Sequence, residues 1–335
     1  MPELPEVEHL RRTIEPRLLG RTVTRVEVRR ADVCEVWITA PVSVASNPTL
    51  ATSPDPARGP SMPRPATRLP TPDTATLHAA LLLGATFTAT QRRGKELALI
   101  ATAASQPPRV LCVHLGMTGQ LRWHAALPPH NPKEHLHILW ELDGGGSTPG
   151  GSVGTVGSVM TFADPRRFGG LAGLDSLAAL EDRWATLGPD ALTTPLDDLA
   201  ALLVTELGRA NRAVKAALLD QRIIAGVGNI YADEALFAAR IHPRKLARRL
   251  SPDRVRLLAA HIREILIRAV DAGGSTLRDY VNADGNRGQA QTLHQVYGRA
   301  GQPCPACGLS LQTGQIGQRT TVWCRACQLD KAVRP

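Results

Sequence analysis

The sequence predicts a multidomain α+β protein: an N-terminal β-sandwich with flanking helices, a helical region, and a small C-terminal hairpin. Three observations carry that prediction. Short strand-like runs recur through about residue 175, apolar residues at three- and four-residue spacing dominate from Leu187 onward, and four cysteines near the end fall into two regularly spaced pairs. A chain of 335 residues with 43% hydrophobic content is long enough for two or more cores. Aromatic residues make up only 4%, so packing falls to Leu, Val, Ile and Ala.

The chain opens MPELPEVEHL. Pro5 and the acidic Glu6 and Glu8 are ordinary helix-start signals. Val7, Leu10, Ile14 and Leu18 follow at helical spacing, and Gly20 stops the run. Pro2 and Glu3 stand outside this helix without a structural role. Residues 22–30 (TVTRVEVRR) then alternate as a strand, and further strand-like runs occur at ELALIA, RVLCVHL, HILWEL, VMTFAD and FGGLAGL. Together they define a sandwich domain over 1–175.

Two segments interrupt this pattern and read as insertions. Residues 41–72 hold nine prolines among Ala, Ser and Thr, and residues 144–158 hold seven glycines. Neither buries enough apolar surface to offset chain entropy, so both are expected to be mobile surface loops. Helical periodicity is carried by 196–207, 211–220, 229–240 and 252–272, within a domain spanning 187–272. Inside it, Gly226 and Gly228 permit a tight turn, and Asn229 is placed to cap the following helix. Such a turn feeding a helix N-terminus can hold a phosphate, although most bind nothing.

Cys304-x2-Cys307 and Cys324-x2-Cys327, separated by 16 residues, have the spacing of a four-thiolate zinc site on two knuckles. The alternatives are a disulfide pair, disfavoured without an export signal, or a redox CxxC, which has no need of the second pair. With four thiolates the site is closed. The single Zn2+ is therefore structural, fixing a finger over 297–332 that has too few apolar residues to fold alone.

Net charge is +9, and its distribution says more than its sum. Residues 240–335 carry 16 Lys and Arg against 6 Asp and Glu, whereas the preceding 239 residues carry 23 against 24. Basicity confined to one region is the footprint of a surface that tracks phosphates, the alternative being a solvated face with no partner. No apolar stretch reaches the roughly 18 residues needed to span a bilayer, and the acidic start is unlike a signal peptide. The expectation is a cytoplasmic protein, nucleoid-associated through nucleic-acid binding, without membrane contact.

Four short segments look over-specified for structure: PELPEVE, RRGKEL, HLGMTGQ and DPRRFGG. Lys95, between a glycine and a strand, suits a cation offered to a phosphate. Met117 lies at a turn tip, a poor place to bury it. Arg166, Arg167 and Phe168 follow a turn-forming Asp-Pro, so one loop projects two cations and a ring together, as a nucleic-acid wedge does, the alternative being a salt-bridged corner.

Taken together with VGNIYADE, GGSTLRDYV, VYGR, the CxxC pairs and QRTTVWCRAC, these motifs make the chain resemble one family, the bacterial formamidopyrimidine-DNA glycosylases, relatives of the endonuclease VIII-type glycosylases. The resemblance covers nearly the whole chain apart from the two insertions. It implies a helix-two-turn-helix domain over 187–272, a lesion-capping loop region over 273–296, and bifunctional DNA glycosylase and abasic-site lyase activity in base excision repair. It further implies that Met1 is removed and that the secondary amine of Pro2 attacks the sugar C1′. Glu3 is implied as the general acid/base, with Glu6 supporting the site and Lys95 beside it. Lys95, His114, Lys215, Asn229 and Arg319 fall on positions that clamp phosphates, while Met117, Arg166 and Phe168 match residues that fill the gap left by the flipped nucleotide.

The expected partner is double-stranded DNA containing oxidised bases or abasic sites, bound by a monomer, with 8-oxoguanine and formamidopyrimidines as substrates. Two alternatives stand beside this: a glycosylase preferring oxidised pyrimidines, and a non-catalytic lesion-binding protein of the same fold, which would not need Pro2, Glu3 and Lys95. The capping loop departs from the family pattern, with Ala290 near the place of an aromatic and His294 where an aliphatic residue is common.

Overall fold

The computed structural model describes residues 2–37, 73–129, 135–144, 157–277 and 279–329. Met1, the Pro-rich segment 41–72 and residues 145–156 of the Gly-rich segment lie outside the described residues. Helix α1 (Leu4–Leu18) begins at the proline-containing start and buries Val7, Leu10, Ile14 and Leu18 along one stripe. Among the described residues the strands that follow are β1 (Val23–Val28), β2 (Cys34–Trp37), β3 (Thr86–Arg93), β4 (Glu96–Thr102) and β5 (Arg109–His114). They continue as β6 (Gln120–His124), β7 (Leu136–Leu142), β8 (Val159–Ala163) and β9 (Gly170–Leu174).

One sheet has the order β1-β7-β8-β6; the other runs β2-β9-β5-β4-β3, with β2 and β9 parallel. Phe87, Leu97, Leu99, Leu111 and Val113 from one sheet meet Val23, Ile138, Trp140, Met160 and Phe162 from the other, and α1 seals the cluster. Strands β4 and β5 read as unbroken apolar runs because both their faces are covered. On the far face Ala98, Ile100, Val110 and Cys112 pack beneath Leu180 and Trp184. Those two belong to a helix outside the expected helical segments. The described residues before Leu187 hold two such short helices, α2 (Thr74–Ala80) and α3 (Leu177–Trp184).

The helical region comprises α4 (Leu196–Arg209), α5 (Val214–Leu218), α6 (Asn229–Ala238) and α7 (Pro252–Asp271), packed on one apolar cluster. The helix expected over 211–220 is shorter than its periodicity suggests. Ala213 bridges Leu246 and Val214 donates its amide to the Lys245 carbonyl, so the segment before Val214 is extended. Strands β10 (Gln312–Ile316) and β11 (Arg319–Trp323) form the terminal hairpin. Among the described residues no helix is long and apolar enough to cross a membrane.

Sandwich and helical region are joined by a buried ion network that sequence inspection does not reveal. Arg92, at the end of β3, donates Nε to Glu8 of α1 at 3.0 Å and both terminal nitrogens to Asp190 at 2.6 and 3.0 Å. Asp190 also accepts the amides of Gly94, Leu192 and Thr193. One guanidinium thus fixes the N-terminal helix, the RRGK hairpin and the linker into α4.

The network makes folding acid-sensitive. Burial pushes the Glu8 carboxyl up, but the Arg11 hydrogen bond, the Arg92 charge and Arg12 together outweigh it and hold it at about 2. A depressed folded pKa contributes stability above the unfolded value, and that stability is lost as pH falls toward the folded value. The Tm is therefore expected to drop as pH falls from about 4.5 to about 2, and Glu8→Gln should flatten that drop. A slope unchanged in Glu8→Gln would assign the acid sensitivity to other carboxyls.

Candidate active site

The site forms where the first residues of the chain dock on the glycine turn before α6. Leu4 donates its amide to the Gly226 carbonyl at 3.2 Å, and its side chain is buried in the helical core rather than in the sandwich. A Cβ on Gly226, which has φ +104°, would sit 2.3 Å from a Leu4 methyl carbon. Gln221 holds the turn from inside, accepting the Gly226 amide at 2.9 Å and donating to the Val227 carbonyl at 2.8 Å. Gly228, not Asn229, is the N-cap of α6; Asn229 is its first helical residue.

Glu3 lies directly on this helix start. Its carboxylate accepts the Ile230 amide at 2.9 Å and the Tyr231 amide at 3.5 Å. A Cβ on Gly228 would come within 2.2 Å of the Glu3 carboxyl carbon, so only glycine lets the acid approach the helix end. Pro2, immediately before, is buried.

Glu6, 1% exposed, reaches back to the Glu3 amide at 2.7 Å, as in a capping box. Its other oxygen accepts the Tyr231 hydroxyl and the Ser275 amide, each at 2.6 Å. Burial, and then the neighbouring Glu3 charge, raise the Glu6 pKa above the ordinary glutamate value. Lys95 stands at the tip of the β3–β4 hairpin, half-buried, with Gly94 pressed against Ala225 and Gly226. Burial lowers its ammonium pKa, Glu3 and Glu6 oppose that, and Arg319 adds to it. Two carboxyls, a cation and the chain start are therefore gathered against one helix N-terminus.

The other expected residues are placed around this centre. His114 ends β5, where burial lowers its imidazole pKa. Its Nδ1 accepts the Gly116 amide at 3.2 Å, which leaves Nε2 as the donor in the neutral ring. Met117 is 38% exposed and Phe168 54% exposed, on two loops locked together by Asp164. That buried carboxylate accepts the Thr118 hydroxyl, the Arg166 amide at 3.2 Å and the Gly169 amide at 2.7 Å. The Arg166 guanidinium rests over the Phe168 ring, 4.7 Å from its centroid.

Asn229 donates to the Thr320 carbonyl at 3.0 Å, joining α6 to the hairpin beside Arg319, the half-buried first residue of β11. Lys215 departs from its expected place. Its ammonium is fully buried, paired with Asp233 at 2.7 Å and bonded to the Thr320 carbonyl and the Thr321 hydroxyl. A buried ammonium needs such partners, so its charge serves the joint between α5, α6 and the hairpin instead of facing solvent. Ala290 likewise lies in the helical core, 1% exposed, instead of at a surface that could cap a base.

The four cysteines converge at the base of the hairpin, with all their sulfurs within 4.8 Å of one another. Cys304 and Cys327 are 3.9 Å apart, and Cys307 and Cys324 3.5 Å. Tetrahedral Zn–S bonds imply about 3.8 Å between sulfurs, so the set fits one Zn2+.

Comparison with known proteins agrees with this geometry. Residues 187–281 match the family model described as the formamidopyrimidine-DNA glycosylase H2TH domain, and residues 1–48 and 61–171 match that of the formamidopyrimidine-DNA glycosylase N-terminal domain. The break falls inside the Pro-rich segment. A formamidopyrimidine-DNA glycosylase of Shewanella loihica is 38% identical over 98% of this chain and 99% of its own length. That of Symbiobacterium thermophilum is 36% identical over 98% and 89%.

Among solved structures, the MutM (Fpg) protein of Thermus thermophilus is 36% identical with a TM-score of 0.70, covering 98% of each chain. The Lactococcus lactis Fpg in complex with abasic-site DNA is 27% identical with a TM-score of 0.74, covering 98% of this chain and all of that one. Motifs, fold and full-length similarity converge, and the chain belongs to the formamidopyrimidine-DNA glycosylase family.

Proposed function

We propose that this DNA glycosylase and abasic-site lyase, which removes oxidised purines in base excision repair, works through the amine of Pro2 once Met1 is gone. An α-amine has an ordinary pKa of about 7.7–8, so a useful fraction is neutral and nucleophilic at cellular pH. Its nitrogen bonds to C1′ as the C1′–base bond breaks, Glu3 relaying the amine proton to the departing base; the C1′–O4′ bond then opens, O4′ taking a proton, and leaves Pro2 joined to C1′ as an iminium. The resulting iminium acidifies the C2′ proton, and β- then δ-elimination cuts the strand on both sides. Glu6 holds Glu3 in register, and Lys95 counters the two carboxyl charges.

Double-stranded DNA lies in the cleft between sandwich and helical region, with Lys95, His114, Asn229 and Arg319 on its phosphates. Lys215 contributes by fixing the hairpin that carries Arg319. Met117, Arg166 and Phe168 enter the gap left by the extruded nucleotide, offsetting part of an unstacking cost of a few kcal/mol. The enzyme acts as a monomer beside the nucleoid. The observation that supports this reading most directly is the Glu3 carboxylate seated on the α6 N-terminus, next to Pro2 and Lys95.

Borohydride trapping on an abasic or 8-oxoguanine duplex tests it. Wild type is expected to form a covalent adduct, with intact mass showing Met1 removed, and Pro2→Gly to lose most of it. Absence of a wild-type adduct would sink the amine mechanism, and adducts on oxidised-pyrimidine duplexes alone would point to the other substrate class.

A further inference from the structure

The segment from Gly273 to Val296 begins against Glu6 of α1 and ends against Glu234 of α6, and Ser275 near its start meets His294 near its end. His294 Nε2 lies 3.0 Å from Ser275 Oγ. Ser275 Oγ lies 3.1 Å from Tyr231 Oη, and Tyr231 Oη donates to Glu6 Oε1 over 2.6 Å. Four side chains from three parts of the sequence thus form one continuous polar chain. Exposure rises along it, from 1% at Glu6 through 2% at Tyr231 and 5% at Ser275 to 9% at His294, so the imidazole is the end nearest solvent.

This chain can run in either direction. With Glu6 ionised, His294 Nε2–H, Ser275 Oγ–H and Tyr231 Oη–H each donate toward the carboxylate. With Glu6 protonated, its proton passes to Tyr231 Oη, the tyrosine proton to Ser275 Oγ, and the serine proton to His294 Nε2. The imidazole then releases its Nδ1 proton to solvent, leaving Glu6 ionised and every other group neutral. Burial and the Glu3 charge push Glu6 up, while burial brings His294 down to about 4.

We propose that His294 is a positioning residue of this enzyme, which through Ser275 and Tyr231 sets the charge of Glu6 and gives that carboxyl a proton path to solvent. An aliphatic residue at this position would end the chain at Ser275. The other charged or titratable groups facing Glu6 are Glu3 from its own helix, Lys95 from the β3–β4 hairpin, and Tyr280, whose hydroxyl donates to the Glu6 carbonyl. Among the described residues, Tyr231 is the side chain that hydrogen-bonds the Glu6 carboxyl. His294 itself meets the edge of the Tyr297 ring, with centroids 5.7 Å apart.

The inference rests on Glu6 belonging to the catalytic site, and its test separates the two. Single-turnover excision of 8-oxoguanine is measured between about pH 5 and 9 for wild type, His294→Leu, His294→Gln, Gln291→Ala and Glu6→Gln. The Gln291 side chain pins the same segment, accepting the Thr276 amide and donating to the Gly288 carbonyl, each at 2.9 Å, and bonds no member of the proton chain; its backbone carbonyl, which accepts the His294 amide at 3.4 Å, is kept in Gln291→Ala. His294→Leu is expected to slow excision about tenfold and to displace the acidic limb of the profile, with affinity for an abasic-analogue duplex retained. His294→Gln, whose amide can donate to Ser275 but cannot take up and release a proton, should leave the acidic limb displaced as in His294→Leu, and Gln291→Ala should leave it in place.

A His294→Leu profile parallel to wild type, or an equal displacement in Gln291→Ala, would overturn the inference by reducing His294 to a loop pin. A wild-type acidic limb in Glu6→Gln would instead remove Glu6 from the reaction and the proposal with it.

Discussion

Glu3→Gln is expected to slow base excision in a single turnover by at least about a hundredfold, the usual loss when a general acid/base is removed. The substitution keeps the side-chain volume and one acceptor for the Ile230 amide. Fold and DNA affinity should therefore survive, and the loss falls on the proton. The amide NH2, however, can no longer accept from Tyr231, and it cannot protonate a departing base. Cleavage at a preformed abasic site needs no base expulsion, so it should lose less than excision does. That split, measured on 8-oxoguanine and abasic duplexes side by side, distinguishes a missing acid from a disordered site. Excision within tenfold of wild type would remove Glu3 from the chemistry.

Removal of the metal is the second large perturbation. The finger's own apolar core is only Val296, Leu311 and Val322 with two of the cysteines, and structural zinc in such modules is worth about 10–16 kcal/mol at neutral pH. A strong chelator, or Cys324→Ser, is expected to strip hydrogen-exchange protection from residues 300–328 and to cut duplex affinity at least about tenfold. The sandwich should remain folded, since its core shares no residue with the finger. Affinity falls because the finger is wired to the site: Lys215, Asn229 and Asp233 hold Thr320, Thr321 and the Val322 amide next to Arg319. Unchanged binding after complete metal removal would mean that these joints keep Arg319 in place without zinc.

Much of the architecture is legible in the sequence because it is local. Helix α1 follows from Val7, Leu10, Ile14 and Leu18, and β4, β5, β7 and β8 follow from apolar runs that the core then buries. Strands β3 and β6 escape sequence reading for the opposite reason: TFTATQRR and QLRWH mix half-exposed polar residues into short runs with little apolar contrast. Helix α3 places Leu177, Leu180 and Trp184 at helical spacing after a Ser176 cap, but at eight residues that signal is short, and its burial comes from the outer face of the sandwich. At the site, Glu3, Glu6, Lys95 and the glycine turn stand out in the sequence. Tyr231, Ser275, Gln221, Asp164 and the Arg92 network do not, since nothing in a lone tyrosine or serine marks the partner it meets across the fold.

By itself, the sequence determined the order of the regions, sandwich then helices then hairpin, the four-cysteine metal site and the family, because each of these is written in spacings of a few residues. Only the tertiary structure decided what the charges do. The partner of Glu3 lies 227 residues away at the start of α6, and that of Glu6 lies 269 residues away at Ser275. Lys215, indistinguishable in sequence from a surface cation, is turned inward onto Asp233. Desolvation and hydrogen bonding fix the state of an ionisable group, and both depend on neighbours that folding alone brings together.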